Sequence, residues 1–244
     1  MNPVSPLDNV RIVLSHTSHP GNIGATARAM KTMGLSQLYL VNPKRFPDSE
    51  ADVRASNARD ILGSAQVCAH LEEAIGGTHL AAALTARPRD LPHPTLNARQ
   101  AAMALVQQAR QQPVALLFGR ESAGLTASEI SQCQLTVQIP ANPAYSSLNL
   151  AAAVQIMAYE LRMALDESVM HAAARLPELA SLHEVEGFHR HLEQIMITSG
   201  FLDPKQPKRL MRRMRRLFAR TRLEKEEVNI LRGLLSAVDV RKPD

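Results

Sequence analysis

Val114-Ala115-Leu116-Leu117-Phe118 is an unbroken apolar run, bounded by Pro113 on one side and Gly119 on the other. A strand without polar alternation is buried on both faces, the situation of a strand inside a parallel sheet covered by helices on each side. Further apolar or alternating runs at 10–14, 38–41, 65–69, 80–84 and 135–139 alternate with stretches of helical spacing. That alternation predicts an α/β fold, a mostly parallel sheet with helices on both faces.

Local signals place the helices. Asn22 reads as the N-cap of a helix running to Met33, which Gly34 stops in the left-handed conformation. Residues 48–60 and 97–111 read as helices, Thr126 and Glu129 form a capping box for another, and a long helix spans 147–165. Beyond 166 the composition changes: 167–180 is Ala-rich, contains Pro177 and reads as a linker. Helices then follow over 181–199, closed by Gly200, and over 206–220 and 224–238. The expected organisation is an α/β domain over 1–166 and a small helical extension over 181–244. In the helix over 206–220, Leu210, Met214, Leu217 and Phe218 share one face and Arg209, Arg213, Arg216 and Arg220 the other.

Charge is unevenly spread. Residues 205–222 hold nine basic side chains and no acidic one, whereas the remaining chain holds 19 basic against 23 acidic. A concentrated basic segment on a mildly acidic body is the footprint of a phosphate-binding surface. No apolar run reaches the roughly 18–20 residues of a membrane span, so no membrane association is expected. The N-terminal residues lack the basic-then-apolar pattern of a secretory signal. Cys68 and Cys133 are far apart and without a CxxC companion, which predicts two buried, reduced thiols and a cytoplasmic setting.

Several chemistries are disfavoured. There is no GxGxxG after a strand, no Walker-type GKS or GKT and no GxSxG elbow. The histidines do not sit at metal-ligand spacing, so no metal is expected. Three segments remain. IPANPAYSSLNLAAA, residues 139–153, turns from a strand through Pro140, Pro143, Ser146 and Ser147 into a helix. Free N–H groups at such a joint suit a carboxylate or phosphate, and an ordinary Ser-capped joint accounts for the pattern equally well. In LFGRESAGL, Gly119 allows backbone to approach a flat ligand; the alternative is two turn glycines beside a surface Arg–Glu pair. In SHPGNIGATARAM, Asn22, Gly24 and Arg28 lie close together, as a polar site or as a cap with a solvated Arg.

In that order and at those separations, NIGATARAMKTMG, LFGRESAGL and IPANPAYSSLNLAAAVQIMAYE resemble the three motifs of the TrmH-like branch of the SPOUT superfamily of RNA methyltransferases. The likeness extends through the EVNILRGLL segment and covers nearly the whole chain. It implies a C-terminal deep trefoil knot, which no periodicity could reveal and which general topology rules disfavour. It further implies S-adenosylmethionine as cofactor, bound by Leu84, Thr85, Ala86, Gly119, Ile139, Ser146, Ser147 and Leu148. The family pattern at the first of these loops is Thr-Ser-Ala-Arg, whereas this chain has Leu84-Thr85-Ala86-Arg87, so a hydroxyl contact from position 84 is lost. Arg28 is the residue the resemblance assigns to activating a ribose 2′-hydroxyl, with Asn22, Glu121, Ser147 and Asn149 positioning it and the ribose.

The substrate the resemblance implies is tRNA, methylated on the ribose of cytidine or uridine at anticodon-loop nucleotide 32. Lys208, Arg209, Arg212, Arg213, Arg216 and Arg220 would grip its backbone. A homodimer is implied as well. Leu150, Val154, Met157 and Leu161 on the long helix are candidates for its face, or else for intramolecular core. Two alternatives are a ribosomal RNA 2′-O-methyltransferase of the same branch and a non-catalytic RNA-binding scaffold.

Overall fold

The computed structural model describes residues 5–86, 94–168 and 178–239. Seven strands, β1 (Val10–Ser15), β2 (Gln37–Val41), β3 (Gln66–Cys68), β4 (Leu80–Leu84), β5 (Thr95–Asn97), β6 (Val114–Phe118) and β7 (Leu135–Gln138), form one sheet in the order β3-β2-β1-β6-β4-β7-β5. All of its pairings are parallel. The apolar run at 114–118 is its central strand, with every residue at most 1% exposed. Because side chains alternate along a strand, Leu116 and Phe118 enter one core layer and Ala115 and Leu117 the other.

Helices α1 (Pro20–Met33), α2 (Ser49–Ala55), α3 (Arg59–Gly63), α5 (Ala98–Ala109) and α7 (Leu150–Ser168) supply the first layer. The second is covered by α4 (Leu71–Ile75) and α6 (Ala127–Ser131). Leu182, the first residue of α8 (Leu182–Thr198), joins that second layer, and its N–H donates to the Thr78 carbonyl at 2.8 Å. The tail is thereby docked on the body. Helices α9 (Leu210–Ala219) and α10 (Lys225–Asp239) complete it around Ala180, Phe188, Leu223 and Val228. Phe218 meets Phe188 edge-on at 4.7 Å between ring centroids.

Several expectations are corrected. Asn22 is not a cap: α1 begins at Pro20, whose missing N–H costs nothing in a first turn, and His19 holds the cap position. The helix over 48–60 is split at Ser56 (φ 53°), which ends α2 and leads through a short 3₁₀ turn into α3. The long helix starts at Leu150 rather than 147, and the side chain of Asn149 accepts from the N–H groups of Ala151 and Ala152 as its cap. It continues to Ser168, three residues beyond the expected end at 165; residues 169–177, most of the stretch expected as a linker, lie outside the described residues. Strand β5 was not foreseen. It is three residues long, and the Thr95 and Thr136 hydroxyls, 2.7 Å apart, join it to β7.

The helix expected over 206–220 begins only at Leu210, because Lys208 is left-handed (φ 50°) directly after Pro207. Lys208 and Arg209 therefore precede it. Leu217 is exposed rather than sharing the packed face with Phe218. Leu150, Val154, Met157 and Leu161 are buried in the chain's own core, which removes them as a dimer face; the large exposed apolar side chains described on α7 are Tyr159 and Met163. Cys68 and Cys133 are buried and free, and among the described residues no cluster could hold a metal ion. No described helix is long and apolar enough to cross a membrane.

Glycine 24 lets α1 press against α2. A Cβ there would sit 2.1 Å from the Ala51 carbonyl oxygen, a backbone atom that cannot step aside. Gly24→Ala is therefore expected to destabilise the fold by about 2–3 kcal/mol or more despite the better helix propensity of Ala, read as a lowered urea midpoint at unchanged slope.

Candidate active site

In a parallel sheet all strands end on the same edge, and polar sites gather there. The loops after β4, β6 and β7 enclose a cavity of about 330 Å³. Its lining includes Leu84, Thr85 and Ala86, then Gly119 to Leu125, then Ile139, and finally Ala144 to Leu148 with Leu150 and Ala153. All eight residues that the family resemblance nominated for the cofactor line this one space. The lining combines the small residues Ala86 and Gly119, the apolar residues Leu84, Ile139 and Leu148, and the hydroxyl-bearing residues Thr85, Ser146 and Ser147. Such a mix is that of a small-molecule pocket.

Gly119 has a different reason to be glycine from the one expected. A Cβ on it would lie 2.1 Å from the backbone of Gly124 and Leu125, so the close approach is by the chain itself. Residues 120 and 124 pair across this turn, Gly124 N–H donating to the Arg120 carbonyl at 2.8 Å. Gly124 takes φ 68°, the conformation a turn glycine supplies.

Glu121 joins this loop to the first motif. Its carboxylate accepts from the Ser18 N–H (3.1 Å) and hydroxyl (2.9 Å), the His19 N–H (3.2 Å) and the Asn22 side-chain amide (3.1 Å). Asn22 in turn accepts from the Asn149 amide at 3.1 Å. The three motif segments are thus linked by the side chains Glu121, Asn22 and Asn149. Burial works against ionisation of Glu121, but the hydrogen bonds from Asn22 and from the N–H groups of residues 18, 19 and 121 outweigh it and hold the carboxyl at about 2.

A second carboxylate, Glu129, lies behind the pocket loop and was read from sequence only as a capping residue. It accepts from the Ser15 hydroxyl, from Arg120 at 2.9 Å and from the Thr126 N–H at 2.6 Å. Arg120 therefore pairs with Glu129, and the expected surface pair with Glu121 does not form. The pocket residues Ser122, Ala123 and Tyr145 were also missed. The nearest sequence signals for them were a GRESAG turn and an aromatic side chain in a loop.

Arg28 stands apart. It is exposed on α1, about 9 Å along the axis from Asn22, and borders a separate depression with Ser49, Glu50, Val53 and Arg54. It does not line the cavity that Ser147 lines. At the start of α7 the N–H groups of Ala151 and Ala152 are taken by the Asn149 side chain and are not open to a ligand. Of the basic tail residues, Lys208, Arg209, Arg212, Arg213 and Arg220 are exposed and Arg216 is half-buried.

Residues 9–159 match the model of the SpoU rRNA Methylase family, and residues 183–244 match that of the tRNA methyltransferase TrmJ C-terminal domain. The chain is 50% identical to the tRNA (cytidine/uridine-2'-O-)-methyltransferase TrmJ of Sodalis glossinidius, covering 98% of this chain and 94% of that one. The chain belongs to the SpoU methylase family, in its TrmJ branch. The Pectobacterium atrosepticum TrmJ is 49% identical, with 95% and 97% covered. The crystal structure of TrmJ from Z. mobilis ZM4 superposes with a TM-score of 0.84 at 31% identity, covering 97% of this chain and all of that one.

The SpoU pocket here has a definite pH signature. A carboxyl lowered from 4.5 to about 2 on folding stabilises the protein above the higher value, and that contribution is lost as pH falls toward the lower one. Glu121→Gln is expected to lower the Tm at pH 7, and the gap to the parent protein should narrow below pH ~4. A gap that stayed constant down to pH ~2.5 would contradict the assignment.

Proposed function

We propose that this chain transfers a methyl group from S-adenosylmethionine to the ribose 2′-hydroxyl of cytidine or uridine at nucleotide 32 of the tRNA anticodon loop. The observation that carries the reading is a cavity lined by the loops after β4, β6 and β7, two of them motif segments, and tied to the first motif through Glu121, Asn22 and Asn149, in a chain half identical to a curated tRNA 2′-O-methyltransferase. In this reading the passage from β7 through 139–149 into α7 is the threaded turn of a trefoil knot. Residues 1–166 form the catalytic domain and 181–244 the tRNA-gripping extension.

The cavity fits the cofactor in size and in its mix of small, hydroxyl-bearing and apolar residues. Leu84, Thr85, Ala86, Gly119, Ile139, Ser146, Ser147 and Leu148 hold it, and when bound it supplies an electrophilic methyl group on a sulfonium. The work left to the protein is alignment and the handling of one proton. Fixed geometry contributes several kcal/mol to such a displacement, up to roughly 7–11 at best. Ser147 and Asn149 border the place where the ribose must enter, and Asn22 and Glu121 keep Asn149 in register.

Arg28 cannot take the proton, because guanidinium stays charged in proteins; the hydroxyl proton passes to bulk water as the oxygen–methyl bond forms and the methyl–sulfonium bond breaks, leaving the cofactor as a neutral thioether. It orients the hydroxyl and its neighbouring phosphate and stabilises oxyanion character. Since Arg28 is exposed and lies outside the cavity of its own chain, a second copy brings it to the reacting ribose in a two-fold dimer. The exposed Lys208, Arg209, Arg212, Arg213 and Arg220, with Arg216, contact tRNA phosphates, which position the substrate without reading sequence.

Incubation with labelled S-adenosylmethionine and either total tRNA or ribosomal RNA, followed by mapping of the methylated nucleotide, tests the substrate. Label on the ribose of tRNA nucleotide 32 is expected; label only in ribosomal RNA, or none at all, rejects it. For Arg28, the Arg28→Lys variant should lose at least tenfold in kcat, about 1.4 kcal/mol, because an ammonium cannot replace a planar two-pronged donor. Arg28→Ala and Ser147→Trp proteins, each inactive alone, should recover partial activity on mixing. No recovery from demonstrated mixed dimers would place Arg28 and the cavity in the same subunit.

A further inference from the structure

We propose that the loop between α8 and α9 is a seat for one unpaired RNA nucleotide, with its base stacked on Phe201 and its flanking phosphates held by Lys208, Arg209 and Arg213. This rests on the reading of the substrate as RNA and adds to it a contact with a base, which the basic helix face alone does not provide.

Phe201 is 71% exposed, in a chain with no Trp and only five Phe. It is not a side chain on a floppy tip. Gly200 (φ 76°) ends α8, its N–H donating to the Ile197 carbonyl, and the adjacent Leu202 is 4% exposed, with its N–H on the Met196 carbonyl at 2.8 Å. Burial of Leu202 turns the neighbouring Phe201 outward. The loop beyond is knit as well: Lys205 N–H donates to the Asp203 carboxylate at 2.8 Å, Gln206 N–H to the Asp203 carbonyl at 3.0 Å, and Leu210 N–H to the Pro207 carbonyl at 3.3 Å. Pro204 and Pro207 stiffen it further.

These residues frame an open groove of about 560 Å³, lined by Phe201, Asp203, Gln206, Lys208, Arg209 and Arg213 among others. Three cations face one carboxylate, and that carboxylate already accepts from Lys205 N–H. Among the described residues no ion pair involves Lys208, Arg209 or Arg213. Arg215, in contrast, is bound through both terminal nitrogens to Glu186 and is turned away from this task. An exposed aromatic ring beside uncommitted cations, with an amide at hand, is the combination that holds single-stranded nucleic acid: the base finds a π-face and the backbone finds charge. Duplex RNA offers no free base face, so it would use the cations and leave Phe201 idle. An acidic peptide would do the same.

The test uses the full-length protein and short RNAs carrying 2-aminopurine, single-stranded or as a duplex of the same length, titrated over a range of salt. Single-stranded RNA should bind with a change in 2-aminopurine fluorescence. Phe201→Ala should lose roughly tenfold in affinity together with that signal, while the salt slope stays unchanged. Phe201→Tyr should restore both. Lys208→Gln with Arg213→Gln should flatten the salt slope for single strand and duplex alike. Equal binding by Phe201→Ala and the parent protein, or an equal loss for duplex and for a poly-glutamate peptide, would overturn the stacking seat. Circular dichroism confirms that each variant is folded. These arms score binding without methyl transfer and so do not depend on the catalytic reading. If that reading holds and the seat is real, Phe201→Ala raises KM for tRNA and leaves kcat unchanged; a KM equal to the parent's rejects the seat alone.

Discussion

The carboxylate of Glu121 is the tie on which the candidate site depends. It is carried by the loop after β6, yet its hydrogen-bond donors belong to the segment that opens α1. Each charged hydrogen bond of this kind is stronger than a neutral one, and several converge on one group, which is why the carboxyl stays ionised far below its usual range. Through Asn22 the same tie reaches Asn149, the cap of α7. Loosening one link would release a loop, a helix start and a pocket wall together.

Behind that tie, Glu129 fastens the same loop from below through Ser15 and Arg120. Two acidic side chains eight positions apart in sequence thus hold one short turn from opposite sides. The turn itself exists because Gly119 allows backbone to cross backbone and Gly124 accepts a positive φ. The cavity is the space left beside it by three strand ends that a parallel sheet delivers to one edge.

The tail follows a different logic. Its basic residues are divided between structure and surface: Arg215 is spent on Glu186 and lies against His189, whose pKa is lowered to about 4, first by burial and then by that neighbouring cation. Among the described residues Lys208, Arg209 and Arg213 have no such ion-pair partner, and they line the same groove as Phe201. Hydrophobic anchorage through Leu182, Phe188 and Phe218 keeps the two roles separate.

Much of this was legible in the residue order. An unbroken apolar pentapeptide does determine a doubly covered strand, because any one-sided sheet would expose half of it. Helical spacing located α5 and local capping chemistry located α6, since Thr126 and Glu129 act within four residues; the Asn97–Gln100 capping box that starts α5 was found only in the structure. What sequence did not reveal is every contact made across distance. Asn22 looked like a cap and is a relay. Arg120 and Glu121 looked like a pair and serve different partners. The apolar stripe of α7 suited a dimer face equally well, and burial in the chain's own core decided it. Arg28 borders a separate depression and not the cavity, although it lies only six residues from Asn22. Local patterns depend on neighbours a few residues apart, which the sequence contains; the partners of Glu121, Glu129 and α7 come from strands brought together by the sheet, and only the tertiary structure chooses among them.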